Sequence, residues 1–137
     1  INPVIGLMTE WTKGKDIQKR TEISEKGGTM RLGSYPCVIK KNSLASKIYL
    51  KNKIYERHRH RYEVNIKYMK EYEKNHLIFS GMSPDKKLPE IIEATNHPWF
   101  LGVQFHPELK SRPLNPHPLF ISFVKACIKY SGNYEKS

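Results

Sequence analysis

In the stretch FLGVQFHPELKS, Phe100 to Ser111, an apolar run stops at a histidine, a proline and a glutamate. Pro107 fixes its own φ and biases His106 toward extended backbone, in which residues two apart face the same way. Glu108 is then placed to hydrogen-bond one imidazole nitrogen of His106. That bond fixes the tautomer and stabilises the imidazolium, while the other nitrogen turns toward a group to be deprotonated. So short a spacing is common, and by itself it favours a solvated histidine beside an unrelated carboxylate.

The second group is ERHRHRYEVN, Glu56 to Asn65. On a strand, Arg57, Arg59 and Arg61 line one face and His58 and His60 the other. Burying all five without partners is prohibitive, so some meet anions or the flanking Glu56 and Glu63. Arginine offers a bidentate fork for a carboxylate or a phosphate. A charged edge strand is the plainer alternative. The H-x-H pair has no visible third ligand, so no metal is expected. The third group, GGTMRLG with Arg31, lets backbone amides approach an anion but lacks phosphate-loop spacing, and alone it reads as a turn.

Strands are predicted at NPVIGLM, TMRLGSYPCVIK and KIYERHRHRYEV, with a helical turn in SLASKIY and a short surface helix in NIKYMKEYEKN. HLIFSGMS, PEIIEAT and WFLGVQF, separated by turn residues, form an antiparallel meander whose last strand ends at His106. Pro118 starts a helix in which Phe120, Phe123, Val124, Cys127 and Ile128 make an apolar stripe, predicted to pack on the sheet. TEWTKGKDIQKRTEISEKGG, polar and without periodicity, reads as a long loop with the length of a lid.

The 137 residues suit one domain or an incomplete piece of a larger one, and Ile1-Asn2-Pro3 looks like a cut. No apolar run approaches the roughly 18 residues of a membrane helix, so the expected location is cytoplasmic. Cys37 and Cys127 fit neither a disulfide framework nor a zinc spacing. The 24 Lys and Arg against 13 Asp and Glu give a net charge of +11, which would attract polyanions. A basic nucleic-acid-binding module on the Arg/His strand is therefore the alternative function. The lysines are scattered and accompany no nucleic-acid-binding motif, so nucleic acid is not the expected partner.

Taken together, GGTMRLG, ERHRHRYEVN, NHPWFLGVQFHPE and SRPLNPHPLF occur in an order and spacing that resemble the C-terminal half of the glutaminase domain of the CTP synthases, class I glutamine amidotransferases. The resemblance runs from PVIGLMTEW through the last helix. It departs at Leu109, where an aromatic residue commonly follows the glutamate. It implies an α/β fold, the C-terminal part of a class I glutamine amidotransferase domain, with a mixed sheet and covering helices. By the same resemblance residues 1–137 are a partial glutaminase domain with a lid loop at about 12–33. His106 is its triad histidine, Glu108 the acid that orients it, and Arg61 the arginine holding the α-carboxylate of glutamine. Lys19 to Gly33 matches the lid tied to activation by GTP, an allosteric activator, with Arg20, Thr29 and Arg31 as effector contacts.

The resemblance also implies a missing part. The family attacks the glutamine amide with a cysteine thiolate on a glycine-flanked elbow between strand and helix. Neither Cys37 in SYPCVIK nor Cys127 has that setting, and both read as small buried apolar groups. The elbow, and the synthetase domain that binds ATP and Mg and aminates UTP to CTP, are expected upstream of Ile1. The intact enzyme is expected to be a homo-oligomer. The fragment is expected to be inactive and, with part of its sheet gone, to dimerise, swap or rearrange.

Overall fold

The computed structural model describes residues 4–7 and 30–132. Strand β1 (Ile5–Leu7) pairs antiparallel with β4 (Tyr62–Val64) in a small two-stranded sheet. The main sheet has five strands: β2 (Arg31–Ile39), β3 (Lys53–His60), β5 (Leu77–Met82), β6 (Pro89–Ala94) and β7 (Leu101–Val103). Their order is β3-β2-β5-β6-β7. Every strand pairing among the described residues is antiparallel. The parallel pairings of a mixed sheet are thus not among these residues, and the predicted meander is β5-β6-β7.

Local chemistry explains several of these elements. Pro36 sits within β2 opposite Tyr55, yet costs no ladder bond, because β5 reaches β2 only at Val38 and Ile39. Helix α1 (Leu44–Tyr49) is capped twice. Ser43 Oγ accepts the Ser46 amide at 3.0 Å, and the Glu93 carboxylate accepts the amides of Leu44 and Ala45 at 2.8 and 3.1 Å. The predicted helix after Asn65 is a 3₁₀ turn (Ile66–Tyr68) running into α2 (Met69–Lys74).

The core is small and gathers Cys37, Ile39, Ala45, Ile54, Ile91, Phe105 and Leu119. Gly81 lies at its tightest point, where a Cβ would stand 2.5 Å from Ile91 Cγ1 and 2.8 Å from Cys37 Sγ. Gly81→Ala is expected to destabilise the chain by about 1–3 kcal/mol through overpacking, read as a lower urea midpoint at unchanged slope.

Helix α3 (Pro118–Ser131) begins where predicted, with Pro118 at its first position and His117 as cap. Its packing differs from the prediction. Only Leu119 is buried; Phe120, Phe123, Val124, Cys127 and Ile128 are exposed, Phe123 by 49% and Ile128 by 67%. The first turn is held by Leu119 against the core and by Trp99, whose Nε1–H donates to Ser122 Oγ at 2.8 Å and whose ring lies 5.1 Å from that of Phe123. The helix also contacts α1, and beyond these contacts its stripe is exposed among the described residues. Cys127 is therefore exposed, while Cys37 is buried as expected. A contiguous apolar stripe of this kind associates. The chain is expected to self-associate at micromolar concentration, and Phe123→Asp with Ile128→Asp to make it monomeric, as sedimentation velocity would show; a monomeric parent protein would disprove it.

Candidate functional site

His106 follows β7, the last strand of the main sheet, by three residues. β7 ends at Val103, three residues earlier than the predicted strand, and the chain then bends away. The Gln104 amide donates to the Glu90 carbonyl on β6 at 3.0 Å, and the His106 amide to the Arg57 carbonyl on β3 at 2.8 Å. Residues 104–106 thus cross toward the opposite edge of the sheet and fix the backbone of His106 against β3.

Glu108 does not reach the ring through extended backbone. Pro107–Leu109 is a 3₁₀ turn capped by His106, and Leu109 N–H donates to the His106 carbonyl at 3.1 Å. This tight turn sets His106 Nδ1 2.7 Å from Glu108 Oε1. Both side chains face solvent, 39% and 57% exposed. The backbone amide of Glu108 itself and the His106 ring hold the Glu108 carboxyl below its ordinary range, so it is anionic at neutral pH. With Nδ1 occupied, His106 Nε2 has no partner among the described residues. The arrangement is an oriented, part-exposed imidazole.

Arg61 occupies the bend between β3 and β4 and is half-buried. On β3 the predicted alternation holds. Arg57 and Arg59 are exposed, while Ile54, Glu56 and His58 are buried. The expected lid, Arg20 and Thr29 included, lies outside the described residues up to position 29, and its last three residues, 31–33, open β2. Arg31, expected as an effector contact, is buried there instead. Its Nη2 donates to Glu90 Oε1 at 2.7 Å, its Nη1 stands 3.6 Å from Glu63 Oε1, and its guanidinium covers the Tyr35 ring at 4.6 Å. Committed on both sides, it belongs to the interior.

The expected meeting with a flanking glutamate occurs at His60, 3.6 Å from Glu63 Oε1, but the sequence did not show the wider interior network around it. His60 Nδ1–H donates to the Tyr62 carbonyl at 3.0 Å, His58 and His60 meet through Nδ1 and Nε2 at 2.7 Å, and His58 Nε2 faces Glu90 Oε2 at 3.6 Å. Burial pushes His60 down, which keeps it neutral. The two carboxylates diverge. Burial would raise Glu90, but the His58 ring facing it and the Arg31 guanidinium outweigh burial and hold Glu90 below its usual range. Burial pushes Glu63 up to about 7, with Arg31 opposing and the Glu90 charge adding to the rise. A second cluster joins Glu56 on β3 to His117 Nε2 at 3.0 Å, Tyr49 OH at 3.2 Å and Lys110 Nζ at 3.4 Å. The available signal was parity: Glu56 shares a strand face with apolar Ile54, and a carboxylate on the core side must be paired.

Neither cysteine suits a thiolate nucleophile. Burial, with Glu90 beside it, pushes the Cys37 thiol far up, and no solvent reaches it. Cys127 lies on the open face of α3, on an element that carries none of His106, Glu108 or Arg61.

Residues 7–126 match the profile of the family described as glutamine amidotransferase class-I. The CTP synthases of Rhizobium etli strain CIAT 652 and of Bartonella henselae are 61% and 59% identical over 129 and 130 residues. These spans cover 94% and 95% of this chain but 24% of each relative, so the chain corresponds to about a quarter of their length. The glutaminase domain of Trypanosoma brucei CTPS, solved with bound acivicin, superimposes with a TM-score of 0.77 at 35% identity, over 92% of this chain and 46% of that one. A GMP synthase protein from Thermoplasma acidophilum shares the fold at 16% identity, with a TM-score of 0.57, over 78% of this chain and 49% of that one. The histidine–glutamate turn and the arginine bend therefore sit in a chain that belongs to the class I glutamine amidotransferase family.

Proposed function

We propose that this chain is the acid/base part of the glutaminase of a CTP synthase, a ligase of pyrimidine biosynthesis that aminates UTP with ammonia from glutamine at the expense of ATP. The observation that carries the reading is the His106 Nδ1 to Glu108 Oε1 hydrogen bond at 2.7 Å, which leaves Nε2 of a part-exposed ring without a partner among the described residues. The high identity to CTP synthases across nearly the whole chain supports the specific assignment.

In this reading the nucleophile is a cysteine outside these 137 residues. Its thiol proton passes to His106 Nε2 as sulfur attacks the γ-carboxamide carbon of glutamine. The imidazolium, stabilised by Glu108, returns that proton to the amide nitrogen. The C–N bond breaks, ammonia leaves and a glutamyl thioester remains. His106 then takes a proton from water, whose oxygen attacks the thioester carbon. The C–S bond breaks, the imidazolium returns its proton to sulfur to regenerate the thiol, and glutamate leaves. Arg61 receives the α-carboxylate of glutamine as a charged fork. ATP and magnesium belong to the synthetase part of the enzyme, and we assign them no residue here. GTP activation is assigned to the lid, with Arg20 and Thr29, and not to Arg31.

The chain alone is expected to release no ammonia from glutamine, and the chain joined to its upstream segment with an intact cysteine is expected to do so. Ammonia release by the 137 residues alone would disprove the external nucleophile. A joined, folded protein without glutaminase activity would remove the whole reading.

A further inference from the structure

The turn that carries the acid/base pair is open to solvent, so its geometry must be held from the side of β3. Three consecutive β3 residues do this. The Arg57 carbonyl accepts the His106 amide at 2.8 Å, and the Tyr55 carbonyl accepts Lys110 Nζ. Glu56, between them, contributes its side chain. Its carboxylate is 1% exposed, receives the His117 ring at 3.0 Å and the Tyr49 hydroxyl at 3.2 Å, and faces Lys110 at 3.4 Å.

The chemistry of these partners is specific. His117 Nδ1 accepts the Leu119 amide at 3.3 Å, so Nε2 carries the proton given to Glu56, and no charge on His117 is needed. Burial would raise the Glu56 carboxyl, yet the His117 hydrogen bond and the Lys110 ammonium hold it below its usual range. Glu56 is therefore anionic and Lys110 is its charged counterpart. Lys110 closes the turn bearing Glu108, its amide donating to the Pro107 carbonyl at 3.0 Å. His117 stands at the far end of the loop, its amide donating to Ser111 Oγ at 3.1 Å. One buried carboxylate thus clasps both ends of the loop that follows the histidine–glutamate turn.

We infer that Glu56 is a positioning residue for the His106–Glu108 pair, fixing the turn through Lys110 and the loop through His117. The inference rests on reading His106 as the base. Displacing Lys110 moves the backbone beside Glu108 and loosens its hold on His106 Nδ1, whereas Arg61, at the β3–β4 bend, is untouched.

Two variants test it. Glu56→Gln keeps the volume but removes the charge; Lys110→Met works from the half-exposed partner and carries the test if the first does not fold. In the 137-residue chain at pH 8, ring ¹⁵N shifts report the His106 tautomer. The ratio of Nδ1–H to Nε2–H forms is expected to fall roughly five-fold in each variant, and no further in the double variant. In the joined enzyme, with active sites counted by a glutamine-directed covalent inactivator, kcat should fall about ten-fold with KM changed less than about two-fold. Wild-type tautomer ratios and kcat in both variants would overturn the inference. If the tautomer shifts while His106→Ala leaves hydrolysis intact, the catalytic reading of His106 fails and the positioning of the ring stands.

Discussion

Replacing His106 by alanine in the joined enzyme is expected to lower kcat for glutamine hydrolysis by at least about a thousand-fold, with KM changed little. The ring handles the proton in both halves of the proposed reaction, so its loss slows thioester formation and thioester hydrolysis alike. Glu108→Gln should cost less, on the order of 10–100-fold, because the amide can still accept a hydrogen bond from Nδ1–H but no longer stabilises the imidazolium by charge. That ordering follows from the geometry, since Glu108 touches only the inner nitrogen of the ring. Steady-state assays of ammonia release measure both variants. Undiminished hydrolysis by His106→Ala would refute its role, and a Glu108→Gln loss larger than the histidine loss would refute the assignment of parts.

Glu63 is expected to make stability fall as pH rises through neutrality. Its folded pKa is raised from 4.5 to about 7, chiefly by burial. An acid with a raised folded pKa keeps its proton in the folded state while the unfolded chain releases it. Its contribution is therefore complete below the unfolded pKa and lost as pH climbs through the folded one. The span of 4.5 to about 7 corresponds to about 3 kcal/mol. The groups facing Glu63 are Arg31 and His60, each at 3.6 Å, the Glu90 charge, and the Gln104 amide at 3.5 Å. His60, with a lowered pKa, pushes stability the other way as pH rises, so the measured quantity is a difference. Unfolding free energies of Glu63→Gln and wild type, from urea titrations between pH 4.5 and 8, should diverge by about 3 kcal/mol in favour of the variant at the alkaline end. A pH-independent difference would show that Glu63 titrates normally.

The alternation in ERHRHRYEVN determined that the arginines and the histidines of β3 take opposite faces, because a strand has a fixed period of two; which face is buried was decided by what packs on it. HPE made a meeting of His106 and Glu108 available, because a proline between them leaves few backbone conformations, but the spacing alone favoured an unrelated pair. It did not determine how they meet: a tight turn after β7 does the work assigned to extended chain, a choice made by hydrogen bonds from residues 104 and 106 to β6 and β3, strands distant in sequence. His60 and Tyr49, partners of Glu63 and Glu56, are near them in sequence, but Glu90, His117 and Lys110 lie dozens of residues from Arg31 and Glu56, and only folding brings them within reach. The stripe on α3 shows the converse limit. Periodicity specifies that a helix has an apolar face, but not what covers it, because that depends on which other surfaces the chain supplies.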